Sequence, residues 1–384
     1  MFMLAWQYFA FWGFLWQPEI YLFQNEFISI RWYSLLFVMG FVLGRFIVVR
    51  SYKLENGYDQ TVDFQMFYMV AGTLLGARMG HVLFYEPHLM QNNFWELFFF
   101  WKSGLASHGT AFGILLGIVF YSFQWKFERN RVRIKDRLRR GYDYFQVMDR
   151  LIIVVALGCA LIRVGNFINS EIIGKPTQKN YGVLFVKPVE EHIKSQLPFV
   201  QEVVFKETGR YFEVGKPILK TNIIFESEVY KDERIRNSIK KRLGFLLPIK
   251  IGQYSHIINP MGAEVDHTFS RISDHFELQM ETVGVYRHPS QLYESLTYLL
   301  IGILVYLIWN KHRIQLRPGS LLGVFLIAAF GGRFFLESLK ENQVGFEASL
   351  DFNLGQILSI PLFIFGIYVF FINLKGNLMF KTLK

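Results

Sequence analysis

The sequence predicts an all-α polytopic membrane protein, a seven-transmembrane-helix bundle carrying a small α+β insert on its outer side. Three observations point there. Of the 384 residues, 52% are hydrophobic and 18% aromatic, with 41 Phe and only 19% charged, a richer apolar content than a soluble domain usually carries. The apolar residues fall into long blocks separated by short charged stretches, instead of the even mixture that two soluble domains of this total length would show. Between Gly174 and Arg287 the pattern changes, with charge rising and apolar residues shrinking to short runs.

A helix rises ~1.5 Å per residue and must cross a ~30 Å hydrocarbon layer, so a span needs about 20 apolar residues. Seven stretches qualify: Ile30–Val49, Val62–Tyr85, Ala106–Trp125, Phe145–Asn166, Ser290–Trp309, Gly319–Leu339 and Leu354–Asn373. Before them, Met1–Phe23 is apolar but lacks the basic flank and small-residue cleavage site of a signal peptide. Its spaced Trp6, Trp12 and Trp16 suggest an interfacial segment on the membrane surface. The insert's short runs, Tyr181–Val186 and Ile223–Phe225 with Val229–Tyr230, suggest strands, and Glu233–Leu243 a helical patch. The organisation expected is therefore an N-terminal segment at 1–29, spans one to four at 30–174, the insert at 175–287, and spans five to seven with the C-terminus at 288–384.

Charge sets the orientation. Basic residues follow the first span (Arg50, Lys53), the third (Lys126 to Arg140), the fifth (Lys311, Arg313, Arg317) and the seventh (Lys375, Lys381, Lys384). The opposite short loops offer little beyond Lys102 and Lys340. Cationic loops stay cytoplasmic, which places the N-terminus and the insert outside and the C-terminus inside. The net charge of +10 is accounted for by this topology and by anionic headgroups, and no nucleic-acid partner is expected. A single cysteine, Cys159, lies in an apolar run; it excludes a disulfide framework and a cysteine-based metal site.

Four polar constellations interrupt this apolar chain. In Gly158–Glu171 an apolar run leads into Arg163, followed by Gly165, Asn166, Asn169 and Glu171. An arginine at a helix end can be a snorkelling anchor, but an anchor needs no neighbouring amides and carboxylate, and Gly165 permits close backbone approach or a helix break. Ser107-His108-Gly109-Thr110 opens the third span, with Ser107 expected as its N-cap and His108 as either an interhelical hydrogen-bond partner or a base. Arg287-His288-Pro289-Ser290-Gln291-Leu292-Tyr293-Glu294 reads as a capped helix start, which leaves Glu294 unexplained. In Gly331–Glu337, Arg333 and Glu337 are four apart and can pair on one face. Arg163 and Arg333 both fall near the outer ends of their spans, and two guanidinium groups at one depth suit an anion such as a lipid phosphate. Tyr33, Arg78 and His81 stand at the outer ends of the first two spans.

Together these residues resemble the bacterial prolipoprotein diacylglyceryl transferases. The resemblance rests on Ser107-His108-Gly109, on Arg163-Val164-Gly165-Asn166-Phe167-Ile168-Asn169 with Glu171, on His288-Pro289-Ser290-Gln291-Leu292-Tyr293-Glu294, on Gly332-Arg333-Phe334 with Glu337, and on Gly355-Gln356-Ile357-Leu358-Ser359-Ile360-Pro361. Their order covers essentially all the spans. The chain departs from the family pattern at Thr110, where a second glycine is usual, at His81, where relatives often carry tyrosine, and in the length of the insert from about Lys175 to Tyr286.

The resemblance implies a multi-pass protein of the bacterial inner membrane, with a periplasmic insert and an active site toward the periplasmic face. Its partners would be phosphatidylglycerol and the lipobox cysteine of a prolipoprotein. The diacylglyceryl group would pass to that thiol as a thioether, with glycerol phosphate leaving, as the first step of lipoprotein maturation. Arg163 and Arg333 would stabilise the phosphate, and His108 would be the candidate base. Tyr33, Gly109, Asn166, Asn169, Glu171 and Glu294 would line the substrate site, supported by Gly165 and Glu337. No metal and no cofactor are expected, and the chain is expected to act as a monomer. A transporter for an anionic solute would also want arginines among spans, but near the midplane and open to both sides; a non-catalytic scaffold would tolerate apolar replacement of the whole polar cluster.

Overall fold

The architecture comes from a computed structural model that describes residues 13–25, 28–55, 62–99, 104, 106–128, 131–136, 143–197, 199–226, 233–234, 237–238, 257–258, 267–272, 275–342, 347 and 349–375. In chain order the elements are β1 (Gly13–Trp16), β2 (Tyr21–Gln24), β3 (Ser29–Arg31), α1 (Trp32–Leu54), α2 (Val62–Phe84), α3 (Pro87–Asn92), α4 (Ser107–Ser122), β4 (Phe123–Glu128), β5 (Arg131–Asp136), α5 (Tyr144–Ile168), β6 (Gly182–Phe185), α6 (Lys187–Gln196), β7 (Val200–Glu213), β8 (Lys216–Phe225), β9 (Ile257–Ile258), β10 (His267–Ile272), β11 (His275–Gly284), α7 (Ser290–His312), α8 (Ser320–Glu337) and α9 (Leu354–Lys375).

Six of these helices, α1, α2, α5, α7, α8 and α9, are long and apolar enough to cross a membrane. Their outward residues fit lipid: Phe46, Phe64, Phe67, Leu307 and Phe335 each leave more than half of their surface uncovered, a state that water penalises and hydrocarbon does not. The third stretch expected as a span, Ala106–Trp125, is corrected: its helix α4 has 16 residues and stops at Ser122, where the chain turns into β4. The helix begins after Ala106, not on a capping Ser107, and Ala106 makes no side-chain cap. The basic stretch expected as a plain loop holds the antiparallel hairpin β4–β5. Trp6, Trp12 and Val229–Tyr230 lie outside the described residues, as does most of Glu233–Leu243.

The chain divides into two compact units, the first comprising Met1–Leu35, Ile162–Ser295 and Arg333–Ile357, the second Leu36–Leu161, Leu296–Gly332 and Leu358–Lys384. The second unit is helical, with a core in which Val48, Tyr52, Ile118, Tyr121, Leu151, Ile152, Val305 and Trp309 are buried. Its α2 and α4 touch along glycines. A Cβ on Gly72, Gly76 or Gly80 would strike the backbone of Gly109 or Gly113 on α4, and one on Gly117 would strike Tyr68. In lipid, where apolar side chains gain nothing by leaving the solvent, such close backbone packing is what holds two helices together.

The first unit is built on a sheet in the order β10-β11-β8-β7, with β9 also paired to β11. Inward residues Val203, Phe205, Leu219, Ile223, Leu278 and Met280 form its core with Val189 and Ile193 of α6. The strand expected at Tyr181–Val186 is β6, and its partner is the N-terminal β1, in parallel register Gly13↔Gly182 to Trp16↔Phe185. Thus the described end of the N-terminal segment is part of this sheet structure. Trp16 donates from Nε1 to the Phe167 carbonyl at 3.0 Å and stacks on the Phe167 ring at 4.5 Å, at the end of α5.

Candidate active site

The site grows from the last turns of α5. Gly165 carries no side chain because Tyr33 lies against it: a Cβ there would sit 2.7 Å from Tyr33 Cδ2 and 3.2 Å from its Cα. The helix continues through Gly165, so of the two roles open to it, close approach is the one realised. The half-buried Tyr33 phenol is thereby held where it feels the charges of both Glu171 and Arg163. Past Ile168 the chain turns back through Ser170 and Ile172, both at φ 55°. That turn brings Glu171 onto the helix end, its N–H donating to the Asn166 carbonyl at 2.9 Å. Asn166 and Asn169 donate from Nδ2 to the two Glu171 oxygens at 2.8 and 3.1 Å, and Arg163 reaches Asn166 Oδ1 at 3.4 Å.

From Arg163 a line of alternating charges runs through the first unit. Arg163 Nε is 3.0 Å from Glu294 Oε2, Glu294 Oε1 accepts from Lys340 Nζ at 2.9 Å, Lys340 also donates to Glu337 Oε2 at 2.9 Å, and that oxygen lies 3.6 Å from Arg333 Nε. The two carboxylates and Lys340 are buried, with side-chain exposures of 1%, 7% and 2%, while Arg163 keeps 15% and Arg333 32%. The interior of the line is shielded and its two guanidinium ends are the parts that remain reachable. A buried charge is tolerable only when paired, and here each carboxylate stands between two cations. Lys340 is fixed by its backbone too, since Lys175 N donates to the Leu339 carbonyl and Glu341 N to the Ile173 carbonyl.

The pairing is incomplete in one respect. Asn169 Oδ1, Ser170 Oγ, Gln291 Oε1 and Glu294 Oε2 are buried without a hydrogen-bond partner; the Arg163–Glu294 approach is a charge contact, not an aligned hydrogen bond. Gln291 spends its amide on the Glu171 carbonyl and Ser290 its hydroxyl on the Ile172 carbonyl, which ties the start of α7 to the turn after α5. Nearby, His288 Nδ1 is 3.3 Å from the Tyr293 hydroxyl. Burial, helped by the Lys179 charge, pushes the His288 imidazole below its ordinary pKa, so the ring is neutral near pH 7.

The structure therefore brings Tyr33, Arg163, Gly165, Asn166, Asn169, Glu171, Glu294, Arg333 and Glu337 into the first unit. His108 and Gly109 belong to the second. His108 is exposed, its ring 5.0 Å from Phe84 and 5.8 Å from Tyr85, and Gly109 has a packing reason in its contact with Gly76 and Gly80. Arg78 is buried on Glu96, Nη2 to Oε2 3.1 Å, with a further bond to the Glu96 carbonyl, and His81 lies 3.3 Å from Glu86. Lys340 and Ser170 had no role assigned from the sequence, and Gln291 only its place in the His288–Glu294 motif. Lys340 was visible only as a sparse loop charge, although its i,i+3 spacing from Glu337 was a signal. Ser170 and Gln291 are ordinary polar residues whose importance shows only in what they lack.

These features define a polytopic membrane protein with a buried ionic line that is cationic at both ends. A family profile described as prolipoprotein diacylglyceryl transferase matches residues 20–372, and the chain belongs to that family. It is 29% identical to the phosphatidylglycerol--prolipoprotein diacylglyceryl transferase of Chloroherpeton thalassium over 92% of both chains. With the proteins of the same name from Bacteroides fragilis and Tolumonas auensis it shares 27% identity over 93% of this chain and 94% of that one, and 28% over 94% and 97%, respectively.

Proposed function

We propose that this protein transfers the diacylglyceryl group of phosphatidylglycerol to the lipobox cysteine of prolipoproteins. The reading is carried by two guanidinium groups, Arg163 and Arg333, that stay reachable at the ends of a buried ionic line in a chain of this family. A phosphodiester suits the cations, and Asn166, Asn169 and exposed Glu171 beside Arg163 supply the amides and carboxylate that suit the hydroxyls of a glycerol headgroup. A transporter for an anion would need the cations but has no use for these groups.

The chemistry breaks the C–O bond between the diacylglyceryl carbon and the phosphate and forms a C–S bond to the cysteine. The thiol proton goes to a base and glycerol phosphate departs with the bonding electrons. Arg163 and Arg333 stabilise charge on the departing phosphate, Glu294 and Glu337 hold the two arginines in place, and Asn166, Glu171 and Tyr33 orient Arg163. His108 is the candidate base, on the chemistry of imidazole alone. Around this site the chain is read as seven spans, with α4 the short one, the N-terminus, insert and site on the periplasmic side, and the protein working as a monomer. Basic loops after alternate spans support that orientation.

Purified protein incubated with phosphatidylglycerol labelled in its acyl chains should transfer label to a lipobox peptide and release glycerol phosphate in equal amount. A peptide with serine in place of the cysteine should accept none. Glycerol phosphate release with diacylglycerol in place of labelled peptide would point to a phospholipase C-type hydrolase instead.

A further inference from the structure

The long insert contains a feature that transfer chemistry does not use. Strands β7 and β8 form a hairpin that closes on the two-residue turn Val214–Gly215, between the paired Glu213 and Lys216. Gly215 sits at φ +79°, where a side chain would be strained. Just before and in this turn Tyr211, Phe212 and Val214 are exposed by 46, 42 and 67%, a cluster of apolar surface at the tip of an otherwise alternating hairpin.

The tip is not free to wander. Gly215 N donates to Asn180 Oδ1 at 2.7 Å, and Tyr286 N donates to the Gly215 carbonyl at 3.0 Å. Tyr286 also bonds by its hydroxyl to Glu207 and Tyr211 of β7, and burial, then the Glu207 charge, raises its pKa so that it remains a neutral donor. Tyr286 precedes Ser290, the first residue of the apolar helix α7, by four residues, at most about 13 Å of chain. The headgroup layer on each side of a bilayer is itself roughly 5–7 Å deep, so an anchor at Tyr286 keeps the tip within reach of that layer if α7 enters the bilayer at Ser290. Of the cations around it, Arg210 pairs with Glu281 and half-buried Lys216 with Glu213, while exposed Lys179 lies beside Gly215.

We propose that the β7–β8 turn is a membrane-docking finger that sets Phe212 and Val214 into the lipid interface beside the start of α7, with Lys179 facing the phosphates. An amphipathic tip with Tyr and Phe flanked by lysine and arginine has the composition of an interfacial anchor. Docking would fix the height of the sheet above the bilayer independently of catalysis.

The test uses the full chain with Cys159 replaced by alanine, in nanodiscs of phosphatidylglycerol and phosphatidylcholine. Val214→Cys and, separately, Phe212→Cys carry an environment-sensitive fluorophore, and Gln201→Cys, roughly 40 Å back along β7, carries the same label. Both tip labels should be quenched severalfold more by lipids spin-labelled high on the acyl chain than by aqueous iodide, with the Gln201 label showing the reverse. Iodide quenching of both tip labels equal to that at position 201 would overturn the docking. Since the readout needs no turnover, that result together with intact transfer activity would leave the transferase reading standing.

Discussion

Among the described residues each unit holds a buried ionic network, and the carboxylates of the two differ in how completely they are satisfied. In the second unit Glu55 uses both oxygens: Arg150 donates to Oε2 from Nε and Nη2, and Trp309 Nε1 donates to Oε1 at 2.6 Å. Beside it Asp149 accepts from the Gly319 and Leu322 N–H groups at 2.7 and 2.9 Å, capping the start of α8. Arg150 also bonds to the Gln146 carbonyl and lies over the Tyr52 ring. Each carboxylate oxygen here has its donor, and the network is a clamp. In the first unit the line from Arg163 to Arg333 ends in reachable guanidinium groups and is flanked by four buried oxygens without donors. Buried atoms without partners occur in the second unit too, Gln146 Oε1 and Gln65 Nε2 among them, so what sets the line apart is the reach of its two guanidinium ends, 15% and 32% exposed, and not unspent hydrogen-bonding capacity alone.

The comparison can be broken by mutation. The largest effects should come from removing a central cation. Arg150→Met in the clamp and Lys340→Met in the line each strand a buried carboxylate, at about 3–5 kcal/mol of stability, read as a lowered thermal midpoint in detergent. Arg150→Met should leave the transfer rate per folded molecule unchanged, whereas Lys340→Met should lower it, and Lys340→Arg should restore both. If the two variants lost activity in parallel with stability and in no other way, the distinction between clamp and site would fail. Next, Arg333→Lys keeps the charge and loses the planar fork, so transfer should fall about tenfold, with little change in stability for so exposed a side chain. Full activity would show that a point charge suffices. Gly165→Ala forces Tyr33 aside and should cost about 1–3 kcal/mol of stability together with part of the activity.

The smallest effect lies outside both networks. Glu190 of α6 is desolvated, which raises its pKa, but Lys194, Gln17 and Lys187 together outweigh that and hold its carboxyl below the ordinary range. A depressed carboxyl contributes stability above its unfolded pKa and loses it as pH falls through the folded one. Glu190→Gln should therefore destabilise the sheet by roughly 1.5 kcal/mol at pH 7, and the difference should vanish in acid. Hydrogen exchange of β7 at the two pH values reads this directly.

The sequence made the helices and half of the site legible. Hydropathy located six spans because a membrane helix is apolar over its whole length, and Arg163, Asn166, Asn169 and Glu171 declared themselves by crowding the end of one apolar run. The end of α4 was not legible, because Phe123 and Trp125 prolong the apolar run into a strand and hydropathy does not distinguish the two. Lys340 was missed because its bond to Glu294 is tertiary, across 46 positions. The β1–β6 pairing joins Gly13 to Gly182, and parallel pairing at such separation leaves no local trace. The glycines of α2 and α4 were visible individually, but their shared seam appears only when the helices are laid side by side.

The central claim is that the incompletely satisfied network holds the phosphate of the lipid donor. Its most direct measurement is the diacylglyceryl transfer rate of Arg163→Ala beside Arg150→Met, each normalised to folded protein. Arg163→Ala should slow transfer by about 10²–10³, the usual cost of losing one charge-stabilising donor, and Arg150→Met should keep a rate near wild type. Full transfer by Arg163→Ala would contradict that claim.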